Sequence, residues 1–305
     1  MIDGGMRMAR LAWGFATGTF GELVQGQIGP DPFLITLPIP WGARAAYCHV
    51  PGQPLQVWPE HRVKALGAAK TLLESWGKSL EGVLIIYSTL PIGKGMASSS
   101  ADIVAVCRAL AAFFGREIPA GDIARVASAI EPTDGIMFPG VVAFNPLRGV
   151  LLERLGMAPP ATIVGVLGFG GVNTVDRHES RQEYSVIHQQ RLRQALGYVR
   201  QGVERRDVRL LGLAGRISAE VDYERGADAS VADLICLGES EGAGVIIAHS
   251  GTVRGLLLPG STPAGTVRRL RQKLWALDAG PVYRIPVLTA PLYTLSGRGD
   301  AIQEI

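Results

Sequence analysis

The sequence predicts an α+β protein of two packed domains, on three observations: its length, a mixture of helical and strand patterns without a strict βα repeat, and a proline break near its middle. A chain of 305 residues exceeds what one core usually fills, because single cores stop growing near roughly 250–300 residues. The mixed pattern argues for α+β or two-layer α/β sandwiches rather than one large parallel barrel. Pro159-Pro160 marks the break and divides the chain into expected domains of residues 1–157 and 158–305. With 47% hydrophobic and 19% charged residues, the chain is ample for a buried core and too apolar for intrinsic disorder.

In chain order, Phe33 to Ile39, Ala43 to Val50 and Val83 to Ser88 are short β-rich runs between Pro and Gly punctuation, and read as strands. Between them, Arg62 to Trp76 carries Val63, Leu66, Ala69, Leu73 and Trp76 at helical spacing with polar residues opposite, the pattern of an amphipathic helix packed on a sheet. Ser98 to Phe114 puts Ile103, Val106, Cys107, Leu110 and Phe114 on one face and clusters serines where orphan backbone N–H groups need acceptors. Val141 to Asn145 and Val150 to Leu155 form an expected strand pair turned by Pro146 to Gly149. The second half opens with a strand at Thr162 to Leu167, continues through helices near 179–200, 207–222 and 230–238, and returns to strands near 244–249 and 253–258. A helix near 264–276 and two short strands complete it, with no internal repeat or low-complexity tract.

Charge and cysteine content exclude several classes. Thirty basic against 27 acidic residues leave a formal charge of +3 without a run of like charges, so nucleic acid is not an expected partner. The densest basic stretch, Arg268 to Lys273, reads as a solvated helix face. Cys48, Cys107 and Cys236 are far apart and odd in number, which gives neither a disulfide framework nor a metal cluster and fits a reducing cytoplasm. Arg7 and Arg10 precede a short apolar stretch that Gly14, Thr17, Gly18 and Thr19 interrupt before a signal-peptide core can form. No stretch approaches the ~18 uninterrupted apolar residues of a membrane span, so a membrane partner is not expected either. His61, His178 and His188 lack metal spacing.

The segment richest in chemical information is Leu90-Pro91-Ile92-Gly93-Lys94-Gly95-Met96-Ala97-Ser98-Ser99-Ser100-Ala101-Asp102, which links the third expected strand to the serine-led helix. A loop of small residues feeding a helix N-terminus suits an anion, because free N–H groups and the positive dipole end point at the same place. Gly93 and Gly95 let backbone approach phosphate oxygens that a Cβ would fend off, Ser98, Ser99 and Ser100 offer hydroxyls to phosphate or to Mg2+, and Lys94 adds a point charge. A plain Gly-rich turn before a Ser-capped helix has the same composition. The order of residues fits neither a Walker A loop nor a dinucleotide fingerprint, and Val164 to Gly171, a strand running into glycines, also fails the fingerprint because Asn173 stands at its third Gly position.

The segment resembles the second motif of the GHMP kinases, P-x-x-x-G-L-G-S-S-A. Pro91, Gly95, Ser98 and Ser99 fall on it, whereas Met96 replaces Leu and Ala97 replaces the second Gly. Ala16 to Gly26 is similar to the first motif, whose Gly-Glu pair, here Gly21-Glu22, lies by the acceptor pocket. Glu241 to Gly244 through Ala248 to Val253 is similar to the Gly-rich third motif, although read from the residues alone it is also a β-hairpin. The resemblance implies the two-domain GHMP kinase fold, with an N-terminal domain like domain 2 of ribosomal protein S5 and a C-terminal ferredoxin-like α/β sandwich. It also implies ATP and Mg2+ on Pro91, Gly93, Lys94, Gly95, Met96, Ala97, Ser98, Ser99 and Ser100.

Phosphoryl transfer needs carboxylates near the phosphates to hold metal and to accept or orient the hydroxyl proton. Ile130-Glu131-Pro132-Thr133-Asp134-Gly135 supplies two in a turn after a helix, where they could otherwise only cap the turn. By resemblance to homoserine-kinase-like members, Glu131, 32 residues beyond Ser99, shares Mg2+ with Ser99. By resemblance to mevalonate kinase, Asp134 is the catalytic base or hydroxyl-orienting group. Phe20 to Gly26, Gly93 to Ser99, Ala101 to Ile103, Glu131 to Asp134 and His249 to Thr252 are together similar to the L-threonine kinases that supply threonine phosphate for the nucleotide loop of cobalamin. An amino-acid acceptor needs a basic or N–H partner for its carboxylate and an acidic or carbonyl partner for its ammonium. Thr19, Glu22, Arg44, His249 and Ser250 are the candidates by motif position. Homoserine, serine or another small alcohol as acceptor, and a GHMP-type protein that binds a metabolite without catalysis, are the alternatives.

Overall fold

The computed structural model describes residues 11–168, 182–278, 280–291 and 296–299. Arg7, Arg10, His178, the 169–173 part of the glycine-rich stretch and the 179–181 start of an expected helix lie outside them. The chain runs through strands β1 (Leu11–Thr19), β2 (Val24–Ile28), β3 (Asp31–Ile35), β4 (Pro38–Cys48) and β5 (Gln56–Trp58) to helix α1 (Val63–Ser75). It continues with β6 (Val83–Ser88), α2 (Ser98–Phe114), α3 (Ala120–Ile130), β7 (Val141–Asn145), β8 (Val150–Gly156) and β9 (Ala161–Leu167). Beyond residue 182 come α4 (Val186–Glu204), α5 (Val208–Glu224), α6 (Ala229–Glu241), β10 (Gly244–Ile247), β11 (Val253–Pro259), α7 (Ala264–Asp278), β12 (Val282–Pro286) and β13 (Ser296–Gly299).

The described strands make three sheets, ordered β13-β1-β4-β6-β5, β2-β3-β7-β8 and β10-β11-β9-β12, and every pairing is antiparallel except β5 with β6. Helix α2 is the centre of the first half. Almost its whole circumference is buried, Ala101 to Cys107 without interruption, and each fully enclosed Ile or Leu contributes about 1.5–3 kcal/mol. It lies against β1 at backbone distance: a Cβ on Gly14 would come within 2.3 Å of the Ala105 carbonyl. Arg108 fixes this contact by donating from Nη1 to the Phe15 carbonyl (2.7 Å) and from Nη2 to that of Met137 (3.2 Å), and burial lowers its proton affinity to about 10.

Each C-terminal helix starts where its sequence offers a cap. Ser185 and His188 form a reciprocal pair at the head of α4 (3.1 and 3.3 Å), Asp207 accepts from the Arg209 N–H for α5 (2.8 Å) and Asp228 from that of Ser230 for α6 (2.9 Å). Strand β13 returns to the first sheet, where Leu11 pairs with Gly299 and Gly14 with Ser296.

Several elements differ from the sequence expectation, which assigned no strand to β2 or β5. The run Phe33 to Ile39 is two strands: β3 ends at Ile35, and β4, which begins at Pro38 and ends at Cys48 rather than Val50, belongs to another sheet. Pro38 cannot extend the β3 ladder because it has no N–H, and the chain crosses between sheets at Thr36-Leu37. Residues 11–19, read only as a short interrupted apolar stretch running into the first motif-like segment, are a nine-residue strand. The helix expected from about 179 begins at Val186, behind its Ser185 cap.

Candidate active site

The 90–97 loop leaves β6 and enters α2 with φ of +69° at Gly93, +81° at Gly95 and +60° at Ala97. Every second residue is thus left-handed. The last of them, Ala97, occupies a conformation that costs a residue with a Cβ roughly 1–2 kcal/mol, at the position where the resembling motif has Gly. Ala97 offers no side-chain cap to α2, so the N–H groups of its first turn remain directed at whatever occupies the loop.

Backbone hydrogen bonds pin this loop between the first and third motif-like segments. Thr19 N–H donates to the Met96 carbonyl (3.2 Å) and Gly21 N–H to that of Gly95 (3.0 Å), while Thr252 and Val253 N–H donate to the Lys94 carbonyl (3.0 and 3.1 Å). The 248–252 turn is indeed a hairpin between β10 and β11, and it packs on the loop: a Cβ on Gly251 would lie 2.3 Å from the Lys94 oxygen. The Lys94 ammonium donates to the Gly168 carbonyl. Met96 is buried and meets the site through its backbone.

The 131–135 turn is joined to the head of α2 through Ser100. Its hydroxyl accepts from Thr133 Oγ1 (3.0 Å) and from the Asp134 N–H (3.3 Å), and donates to Asp134 Oδ2 (3.3 Å). Asp134 keeps part of its surface open to solvent, but crowding by protein, followed by the nearby Glu22 carboxylate, pushes its pKa up to about 7. Glu131 ends α3 with one oxygen paired to Lys64, while its Oε1 is buried without a hydrogen-bond partner. One turn into α2, Asp102 pairs with Arg62, the residue before α1. Burial raises the Asp102 carboxyl to about 6 against the opposing pull of Arg62.

Glu22 is 5% exposed and its Oε2 accepts from both the backbone N–H (2.8 Å) and the ring Nδ1 (3.1 Å) of His249. His249 Nε2 lies 3.0 Å from Ser218 Oγ on α5. Thr19 is enclosed with its hydroxyl unpartnered, and Ser99 and Ser250 are half-buried. The structure therefore gathers Thr19, Glu22, His249 and the 93–100 loop, and joins Asp134 to them. It does not gather Arg44, which stands on the face of the first sheet opposite α2, 5.7 Å from the Trp13 ring. Among the described residues no three His, Cys, Asp or Glu side chains cluster as metal ligands, and the three cysteines are free. Sequence reasoning passed over Thr133, Lys64 and Ser218. Thr133 stood inside a quoted motif, whereas a serine in mid-helix carries no local signal.

The chain is similar to known proteins in sequence and in fold. Residues 63–139 match the sequence model of the GHMP kinases N-terminal domain. The chain is 28% identical over 260 residues to an L-threonine kinase of Salmonella typhimurium, covering 83% of this chain and 84% of that one. It is 28% identical over 252 residues to the L-threonine kinase of Citrobacter freundii, covering 78% and 83%. Among solved structures it is similar to homoserine kinase from Cytophaga hutchinsonii (TM-score 0.70, 16% identity, 98% of this chain and 99% of that one). It is also similar to L. major mevalonate kinase in complex with R-mevalonate (TM-score 0.66, 16% identity, 91% and 95%). The chain thus contains a segment that matches the GHMP kinases N-terminal domain and has the α+β, two-domain fold of these kinases.

Proposed function

We propose that this protein transfers the γ-phosphoryl group of ATP to the hydroxyl of L-threonine, giving O-phospho-L-threonine for assembly of the cobalamin nucleotide loop. The observation that carries the reading is the hydrogen-bonded joint at Ser100, which ties a carboxylate of raised proton affinity to the head of the helix that the loop presents to phosphate. The likeness to two L-threonine kinases over most of the chain supports the choice of acceptor. The division at 157/158 belongs to the same reading, supported by the short link between β8 and β9, with β13 crossing back.

In this reading the ATP phosphates lie on the N–H groups of Gly93 to Ser100, behind Pro91, with Lys94 adding positive charge. Asp134 takes the proton of the acceptor hydroxyl as its oxygen bonds to the γ-phosphorus, and the bond to the β–γ bridging oxygen breaks to release ADP. A carboxyl raised to about 7 suits a base working near neutral pH. Thr19, Glu22 and Ser250 face the acceptor. Glu131 and Ser99 fit Mg2+: both offer hard oxygen, and Glu131 Oε1 is buried with no partner, which a cation would satisfy. When bound, Mg2+ would neutralise charge on the phosphates.

The test is ADP release from Mg-ATP with L-threonine, L-serine, L-homoserine, mevalonate and galactose, with phosphate transfer checked by mass. Preference for threonine is expected. Asp134→Asn should lower kcat by about 10²–10⁴-fold, the span typical of a general base, while leaving the Mg-ATP Kd nearly unchanged. Equal turnover in Asp134→Asn and the parent would remove Asp134 from the chemistry, and silence on every acceptor with ATP still bound would leave a binding protein.

A further inference from the structure

Glu22 and Asp134 are two carboxylates close enough for one to raise the proton affinity of the other. Among the described residues neither is paired with a lysine or arginine. Carboxylates held without a lysine or arginine beside them complement a cationic group on the acceptor. Glu22 is held from one side only. Both hydrogen bonds from His249 fall on Oε2, whereas Oε1 accepts none from the described residues and is not among the enclosed orphan atoms.

The support behind His249 extends further. Ser218, 1% exposed, accepts from the Gln25 N–H on β2 (3.0 Å), and its own hydrogen can go to His249 Nε2 (3.0 Å) or to the Gln25 carbonyl (3.3 Å). Donation to Nε2 leaves the ring hydrogen on Nδ1, where Glu22 accepts it. Because the Glu22 carboxylate can only accept, Nδ1 carries a hydrogen toward it, and Ser218 completes the arrangement by donating to Nε2, so that His249 grips one carboxylate oxygen with two donors. The chain Gln25, Ser218, His249, Glu22 runs from β2 through α5 and the β10–β11 hairpin back to the first motif-like segment.

We propose that Ser218 and His249 are positioning residues that clamp Glu22 so that its Oε1 receives the ammonium group of an amino-alcohol acceptor. This rests on the kinase reading above and adds to it the residues that position Glu22 for the ammonium group. His249 acts through Glu22 and does not itself touch the acceptor.

The experiment compares the parent with Ser218→Ala, His249→Ala and His249→Asn, measuring kcat and KM for L-threonine, the Kd of Mg-ATP and the melting temperature. Loss of a charge-assisted hydrogen bond is expected to raise the L-threonine KM about tenfold or more in Ser218→Ala and His249→Ala. The kcat and the Mg-ATP Kd should stay near parental values. His249→Asn, whose amide N–H can replace Nδ1–H, should restore most of the KM. Ser218→Ala removes a single oxygen and serves as the test if His249→Ala fails to fold. A parental KM in Ser218→Ala, or a KM that moves only together with the Mg-ATP Kd and the melting temperature, overturns the clamp while leaving the kinase in place. A parent that phosphorylates none of the ammonium-bearing alcohols overturns the kinase reading first, and the ammonium anchor with it.

Discussion

Gly95 and Gly251 meet across the contact between the 93–100 loop and the β10–β11 hairpin, and substituting both reveals whether that contact is one cooperative joint. A Cβ on Gly95 would lie 2.3 Å from the Ala248 Cβ, and one on Gly251 would lie 2.3 Å from the Lys94 oxygen and 2.6 Å from the Gly95 Cα. Restoring ordinary carbon contact of about 3.5 Å needs the two backbones to part by roughly 1 Å. That movement stretches both N–H bonds to the Lys94 carbonyl. Overpacking of this kind costs about 1–3 kcal/mol, the expectation for Gly251→Ala. Gly95→Ala adds the left-handed strain of φ +81°, roughly 1–2 kcal/mol more. Once either methyl has separated the loops the other meets little resistance, so the double variant should cost about as much as Gly95→Ala alone. The coupling in a double-mutant cycle is then about 1–3 kcal/mol short of additivity. Urea denaturation of the four proteins measures it, with an unchanged m-value as the check that the unfolded state is the same. Additivity to within about 0.5 kcal/mol would mean that the loops yield independently and that the joint does not exist as a unit.

Three further outcomes follow from the site. Ser99→Ala should weaken Mg-ATP about tenfold, as loss of one supporting contact to a metal commonly does, and titration of the nucleotide at fixed Mg2+ reads it. In the nucleotide-free protein, Asp134 holds its proton up to about pH 7, whereas in the unfolded chain it loses it near pH 4. Its contribution therefore falls as pH rises through that window and levels off above it. Melting temperatures across pH should show that slope in the parent and a shallower one in Asp134→Asn, where only the raised Asp102 carboxyl still contributes to it. Arg62→Met leaves Asp102, 3% exposed, without its cation, and should cost about 3–5 kcal/mol by denaturation; a loss below about 1 kcal/mol would class the pair with exposed ones.

The helix Ser98–Phe114 was legible to the residue because its apolar face and its serine start agree with each other, and β6, β7 and the head of β8 were legible because turn residues bracket them. β1 was not, because its pattern is inverted: the inward positions Ala12, Gly14, Ala16 and Gly18 are small, while the larger Trp13 and Phe15 stand half-exposed. Close approach of α2 demands small residues there, and hydrophobicity alone hides the alternation. The segments of the candidate site were legible where they are local in sequence, at the 93–100 loop and the 131–135 turn, which the fold joins through Ser100. What could not be read was the use of each group. Ser100 spends its hydroxyl on Asp134, and Ser218 reaches His249 from another helix, since such partnerships arise only when distant segments pack.

The pairing of β13 with β1 also governs how the molecule is made. β1 is among the first described segments to leave the ribosome and β13 is the last, so the first sheet waits for its edge until the chain has been translated through residue 299. Joining segments so distant carries a large loop-closure cost and slows folding, and until it happens β1 presents a bare edge to neighbouring nascent chains. A fragment cut at 157/158 would retain the 93–100 loop yet keep that edge permanently open, and coexpression with residues 158–305 is the natural way to close it.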